Sequence, residues 1–474
     1  MLILALLACK KDPESLLFPE GFLFGTATAG FQVEAGCPTI APEDCEDRSS
    51  DWYQWVTDEE LVADGTTFNS GDPMTWAPGH YELYEDDFER AAEFGGAFRF
   101  SFEWSRLFPD AAAEDAATVE ELAELVDPTA LAWYHDYLDA MSAQGLTPVA
   151  TVNHYTLPLW VHDGKVCRDD PTGCEASGWV DGDRMIPLIT LFSQYLGREF
   201  GDDIQLWLTL NEPLAVIVSG YLFPSEDRTN PPGVSDPELA LAVAWNMARA
   251  HAAMAEAIRA EDADAEVGVV VNLGVAYPED DTDVDDVRAA EHLDYVYNQA
   301  ILEMFLEGRL DSNLDGLVDE EDSSIAGKTD WLGLNYYFAF EVGGFPRSIY
   351  SAYPYMDFFP KTLDSDPAYF GEAIDMTAEW GLPIYITENG VADPTADDAV
   401  AYLDPALRTV CEKAVEHDVR GYMYWSLIDN YEWNHGMGMR FGLYEVDTDT
   451  KARTLRPIGE RYAEIVSDHG FVGE

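Results

Sequence analysis

The sequence predicts an α/β protein, a single (β/α)8 TIM barrel with extended βα loops. Three observations lead there: eight short β-rich runs, helical periodicity between them, and no internal repeat or linker dividing the 474 residues. The runs fall at 22–27 (FLFGTA), 97–102 (AFRFSF), 147–153 (TPVATVN), 206–210 (LWLTL), 267–272 (VGVVVN), 331–335 (WLGLN), 383–387 (PIYIT) and 421–426 (GYMYWS). Between them, 128–144, 185–200, 237–261, 286–308 and 405–418 carry apolar residues at helical spacing. Eight strand–helix units specify a closed parallel barrel. A doubly wound sheet is the competing fold, but no glycine-rich dinucleotide turn accompanies the first run. Barrels with long loops can pass ~400 residues as one unit, so 18–474 reads as one domain.

Composition narrows the function classes. Hydrophobic residues make up 47% of the chain and aromatics 13%, ample for a large core, and no interior stretch is long and apolar enough to span a bilayer. Ninety acidic residues against 26 basic ones give a formal charge of -64, which repels nucleic acid and anionic membrane surfaces. Residues 1–17 read as a signal/lipobox segment and short tether. The apolar run MLILALLA ends in Ala8 before Cys9, like the lipobox whose cysteine is lipidated, and predicts an extracytoplasmic protein lipid-anchored in a bacterial envelope through Cys9. The alternative is a chance hydrophobic end and a cytoplasmic location. Cys37 with Cys45, and Cys167 with Cys174, read as two small disulfide loops, and Cys411 as a buried thiol in a helical pattern.

Barrel chemistry sits at the C-terminal ends of the strands. Ionisable and amide residues collect there: Gln32 after the first run, Arg99 on the second, Asn153 and His154 after the third, and Asn211 and Glu212 after the fourth. The sixth offers Asn335 and Tyr337, the seventh Glu388, and the eighth Trp425 with Glu432 and Trp433 just beyond. Each alone has a bland reading as a paired or solvated side chain. Independent structural residues have no reason to gather at one set of strand ends.

The set also has a chemical logic. Two carboxylates among aromatic rings and bidentate hydrogen-bonding groups, with no metal-ligand cluster beside them, suit hydrolysis of a sugar acetal. There an oxocarbenium-like centre is flanked by a nucleophile, Glu388, and a proton donor, Glu212. Arg99 and Tyr337 are expected to keep Glu388 ionised and oriented. Glu212 must start protonated, favoured by burial and by the charge of Glu388, and give up its proton as that charge is consumed.

The chain resembles glycoside hydrolase family 1 from Phe18 to Phe471. TLNEP at 209–213 resembles the family's acid/base motif and ITENG at 386–390 its nucleophile motif, with further similarity in FLFGTATAGFQVE, RFSFEWSRLFP, NHYTLPLW, GLNYY and WSLIDNYEWNHGMGMRFG. The resemblance implies a retaining β-glycosidase that needs no cofactor for catalysis. Gln32, His154, Asn211, Glu432 and Trp433 would bind hydroxyls of the nonreducing-end sugar, and Trp425 would form a stacking wall. The implied substrate is a β-glucoside, β-galactoside or β-fucoside. Tyr155 departs from the family pattern, where many members carry Trp, as does NHGMGM at 434–439. The alternatives are a transglycosidase using the same residues and a sugar-binding protein without turnover, though the latter is expected to have lost one carboxylate. Glu432 argues against a phosphorylated sugar by repulsion.

One motif lies outside this scheme. DSNLDGLVDEED at 311–322 has the spacing of an EF-hand calcium loop, with Gly316 at position 6 and Asp in place of the final Glu. It predicts a structural Ca2+ on the barrel face away from the chemistry, held by Asp311, Asn313, Asp315, the Leu317 carbonyl, Asp319 and Asp322. An acidic surface loop is the alternative.

Overall fold

Eight parallel strands close the barrel where the β-rich runs place them: β1 Leu23–Ala27, β2 Ala97–Ser101, β3 Thr147–Asn153, β4 Leu206–Leu210, β5 Glu266–Asn272, β6 Trp331–Asn335, β7 Ile384–Asn389 and β8 Val419–Trp425. Each pairs in parallel with the next, and β8 closes on β1. The computed structural model describes residues 15–64, 69–225, 228–344, 358–364, 367–392 and 397–472; the 1–8 run and Cys9 lie outside the described residues.

The strands are buried on both faces, as parallel strands under helices must be. Their period of two divides the core. Ala97, Val149, Leu206, Leu208, Val270, Trp331, Tyr385 and Met423 form a separate cluster that fills the barrel, while Trp207, between the two leucines, packs outward near Phe102. Gly268 pairs with Trp331, and a Cβ there would lie 2.8 Å from the indole, so glycine makes room for the largest side chain in the interior.

The outer layer comprises α1 His80–Ala91, α2 Pro128–Ala143, α3 Gly182–Phe200, α4 Pro237–Glu261, α5 Val284–Asp294, α6 Ala300–Glu307, α7 Phe370–Ala378, α8 Asp397–Glu416 and α9 Pro457–Asp468. α2 and α4 begin with proline, preceded by Asp127 and Asp236. Each aspartate accepts two otherwise orphaned backbone N–H groups.

Two helices differ from expectation. The segment 286–308 is not continuous: a π-helical turn, Tyr295–Gln299, separates α5 from α6. Inside it Asn298 donates to the Gly274 carbonyl at 2.9 Å and accepts from the Gly274 N–H at 3.2 Å, tying the turn to the end of β5. α8 begins eight residues before Pro405 and carries the proline inside. Tyr402 and Leu403 on one side of it and Ala406, Leu407 and Val410 on the other are all buried. That shared apolar face outweighs the ~3 kcal/mol of an interior proline.

Two more features complete the frame. Val275–Pro278, Ala339–Gly344 and Phe358–Asp364 form a small outer sheet from the extended loops after β5 and β6. Both disulfides, Cys37–Cys45 and Cys167–Cys174, are formed, and Cys411 is buried in α8.

The loop 311–322 lies between α6 and β6, opposite the strand C-termini. Among the described residues, Asp311, Asp315, Asp319 and Asp322 supply no group of three with ligand atoms within 4.8 Å of one another. Asp311 accepts from the Gly316 N–H at 2.6 Å and the Tyr295 hydroxyl at 2.7 Å, and Asp319 accepts from the Ser312 N–H at 3.0 Å. Asn313 accepts from the Asp315 N–H and Asp315 from the Leu317 N–H, so these oxygens close turns. Asp322 is drawn away to Ser324 and Arg249, because the chain turns there instead of entering a second helix.

Candidate active site

Arg99 stands between the outward-packed Phe98 and Phe100, so the pleat of β2 turns it into the barrel mouth. It is fully buried. Its Nη1 donates to Glu388 Oε1 at 2.5 Å, its Nη2 to Asn211 Oδ1 at 2.6 Å and its Nε to Thr151 at 3.2 Å. Glu388 reaches this position through a register shift in β7: Leu334 pairs with Ile386 but Asn335 with Glu388, so Thr387 is an extra residue. Such a bulge re-aims the side chain that follows it. Thr387 then donates to Asn335 Oδ1 at 2.7 Å, and Tyr337 donates to Glu388 Oε2 at 2.8 Å.

Glu212 follows β4 with φ 42°, in the left-handed region that non-glycine residues avoid. Pro213 immediately starts the next helical turn, so the strained residue is the corner of a strand-to-helix reversal. Its Oε1 accepts from Asn335 Nδ2 at 2.7 Å, and its Oε2 is bonded to the Tyr155 hydroxyl. A continuous chain of contacts, Glu212, Asn335, Asn211, Arg99 and Glu388, joins the two carboxylates. Both are 4% exposed, enough to meet a small ligand.

Around them lie the residues expected to bind the sugar. Gln32 Nε2 and Asn430 Nδ2 both donate to Glu432 Oε2, at 2.8 and 2.6 Å. Trp433 stacks on Phe31 at 5.5 Å and on His154 at 6.0 Å, and His154 stacks on Trp425 at 6.0 Å. Gln32 Oε1 and His154 Nδ1 are buried without a protein partner. Such atoms are costly unless a ligand or water meets them, and a sugar hydroxyl could do so here.

The electrostatics divide the groups. Burial, opposed by Arg99 and reinforced by Glu212, raises Glu388 to about 7. Arg99 and Tyr337 pull towards the ionised form, as expected, but desolvation is the larger influence. Burial raises Glu432 against the pull of Arg228, and burial with the nearby Arg99 charge holds His154 well below the ordinary imidazole range, hence neutral.

The glycosyl hydrolase family 1 model matches residues 14–355 and 368–471. The chain belongs to this family. It is 33% identical to a β-galactosidase of Pyrococcus woesei over 96% of this chain and 98% of the relative. It is 28% identical to β-glucosidase A of Thermotoga maritima over 96% and 98%. The β-glycosidase structure from Thermosphaera aggregans superposes with a TM-score of 0.82 at 26% identity, covering 96% of this chain and 98% of that one. The protein is accordingly a glycoside hydrolase, and members of family 1 need no cofactor for catalysis.

The structure brings together the site residues expected from the strand ends except Asn153, whose amide donates to the Thr156 carbonyl at 2.8 Å. It also adds residues that sequence reading of this family 1 enzyme did not place. Arg228, from the loop after β4, and Tyr297, from the π-helical turn, both face Glu212. Asn430 supports Glu432. Neither Arg228 nor Tyr297 sits at a strand end, and no local signal in the chain points to them. Tyr155 carried a signal, its departure from the family's tryptophan, but not its contact with Glu212.

Proposed function

We propose that this enzyme hydrolyses neutral, nonreducing-end β-glucosides, and also β-galactosides or β-fucosides, by double displacement with retention. The observation that carries this reading is the unlike environment of two linked carboxylates. Glu388 contacts the Arg99 cation, whereas Glu212 contacts only neutral donors. The cation beside Glu388 favours its ionised, nucleophilic form, and the neutral donors around Glu212 suit it to the acid/base role.

Glu388 attacks the anomeric carbon while Glu212 gives its proton to the departing glycosidic oxygen, leaving a covalent glycosyl-enzyme and an ionised Glu212. Water then attacks the same carbon and passes a proton to Glu212. The bond to Glu388 breaks with its electron pair returning to the carboxylate. Neutral His154 and Gln32, with unpartnered atoms, and Glu432 would bind sugar hydroxyls, and the Trp433 and Trp425 rings would bound them. Glu432 disfavours a phosphorylated sugar by like charge. The relatives named β-galactosidase and β-glucosidase support the substrate class.

Proton NMR of the first-formed sugar tests the reading: the β anomer is expected, and an initial α anomer would overturn it. Roles are separated with azide. Glu388→Ala should yield α-glycosyl azide from an activated aryl glycoside and Glu212→Ala the β-glycosyl azide. We further propose export to an oxidising compartment, supported by the two disulfides. Intact-mass measurement of native protein from its source, with and without reductant, checks both bridges, and lipid on Cys9 would show in the same spectrum.

A further inference from the structure

Tyr155 occupies a position of unusual constraint. Its backbone has φ 72° and it bonds to Glu212, whose φ is 42°, so two adjoining non-glycine residues hold left-handed conformations. Each costs about 1–3 kcal/mol and persists only where the surroundings enforce it. The ring is wedged between Trp433 at 4.9 Å and His154 at 5.0 Å and is buried.

The hydrogen-bond directions around its hydroxyl follow from the neighbours. Asn211 Oδ1 accepts from Arg99 Nη2 at 2.6 Å and from Asn335 Nδ2 at 3.2 Å. The other end of that amide is therefore the donor, and Nδ2 points to the Tyr155 oxygen at 3.2 Å and to His154 Nε2 at 3.3 Å. With Asn211 donating to it, the Tyr155 hydroxyl has its own proton free for Glu212 Oε2. A phenol oxygen can both donate and accept, whereas the indole that many family members carry here can only donate.

We propose that Tyr155 is a positioning residue for the acid/base step, its hydroxyl holding Glu212 Oε2 as donor when Glu212 is ionised and as acceptor when Glu212 carries its proton. This rests on the role of Glu212 given above. Asn335 fixes the other carboxylate oxygen, so the two contacts leave Glu212 no free rotation as it passes from acid to base. Other charged or titratable groups also face Glu212: Arg228 after β4, Tyr297 in the π-helical turn, Tyr337 after β6, Glu388 on β7 and Glu432 after β8. Of these and Tyr155, Tyr155 is the one hydrogen-bonded to the Glu212 side chain. Its phenol stays protonated, since burial and then the Glu212 charge raise it well above the usual range.

The test is the pH profile of kcat/KM for an aryl β-glucoside. Tyr155→Phe keeps the ring but removes the donor to ionised Glu212. The basic limb, where the acid form is lost, should therefore move up by about one pH unit, the equivalent of one charge-assisted hydrogen bond. The acid limb should stay in place. A basic limb where the parent enzyme has it would overturn the proposal, since a merely structural role lowers the rate without moving the limb. If the phenylalanine variant does not fold, 3-fluorotyrosine at position 155 decides instead: a stronger donor moves the limb down, and an unmoved limb refutes the contact. The azide product of Glu212→Ala tests the role of Glu212 separately, with Tyr155 intact.

Discussion

Glu212, Glu388 and Glu432 share one end of the barrel with Glu34, Asp47 and Glu103. All but the partly buried Glu432 are buried, and each trio has one directly bonded arginine, Arg99 in the first and Arg106 in the second. In the second trio the protein supplies the partners. Arg106 donates to Glu34 at 2.5 Å and to the Cys45 carbonyl at 2.6 Å. Glu103 accepts from the Phe31 N–H, Ser101 and Thr156, and Asp47 from Ser105. Gly30 completes the packing, since a Cβ there would lie 2.6 Å from Glu103 Oε1. In the first trio, Gln32 Oε1 and His154 Nδ1 are left unmet. Both clusters bury acids and raise their protonation: burial, then the charges of Glu34 and Asp47, hold Glu103 well above the usual carboxylate range. A perturbed carboxylate therefore does not by itself mark the site. What sets the first cluster apart is that buried atoms without a protein partner, Gln32 Oε1 and His154 Nδ1, stand among its carboxylates, ring systems and arginine.

Substitutions at the two clusters should fail in opposite ways. Glu388→Gln is expected to lower turnover by a factor of about 10^5 or more, as loss of a covalent nucleophile does, while its amide oxygen can still accept from Arg99, so activity falls far more than stability. Arg106→Leu should do the reverse. Breaking a buried pair leaves Glu34 uncompensated and costs about 3–5 kcal/mol, read by denaturant unfolding, while the pH profile of the folded enzyme keeps its shape. A large activity loss without a stability loss in Arg106→Leu would dissolve the distinction.

Smaller effects sharpen it. The reaction needs ionised Glu388, so kcat/KM should fall as pH drops through about 7. Tyr337 donates to that carboxylate, and Tyr337→Phe should move the acid limb upward by about one unit. The linkage to stability has the opposite sense. Because folding raises Glu388 above its ordinary 4.5, its contribution is fully present below that value and is lost as pH rises through about 7. Smallest of all, because burial favours the protonated form of Glu103, Glu103→Gln, which keeps the shape and an accepting oxygen, should lower stability by less than Arg106→Leu does. A collapse of stability would show that Glu103 is ionised.

The eight strands were legible because each is a short run of residues suited to a doubly buried sheet, and the chemistry was legible because barrel side chains at strand ends converge. Arg99, Asn211, Glu212, Asn335 and Glu388 meet as expected for that reason. Less local features were not legible. Helical periodicity runs unbroken through 286–308, yet Asn298 is tied to Gly274 across a π-helical turn; a proline signal at 405 was overridden by burial on both sides. The calcium spacing at 311–322 is visible in the chain, but the meeting of Asp322 with Arg249, distant in sequence, is not. The sequence by itself determined the barrel, its strand order and the residues at its mouth, all consequences of local pattern and closure. Only the tertiary structure decided the bulge that aims Glu388, the left-handed corner at Glu212, the contact from Tyr155 and the approach of Arg228 and Tyr297. Those depend on partners far apart along the chain, whose packing alone can stabilise conformations that local preference opposes.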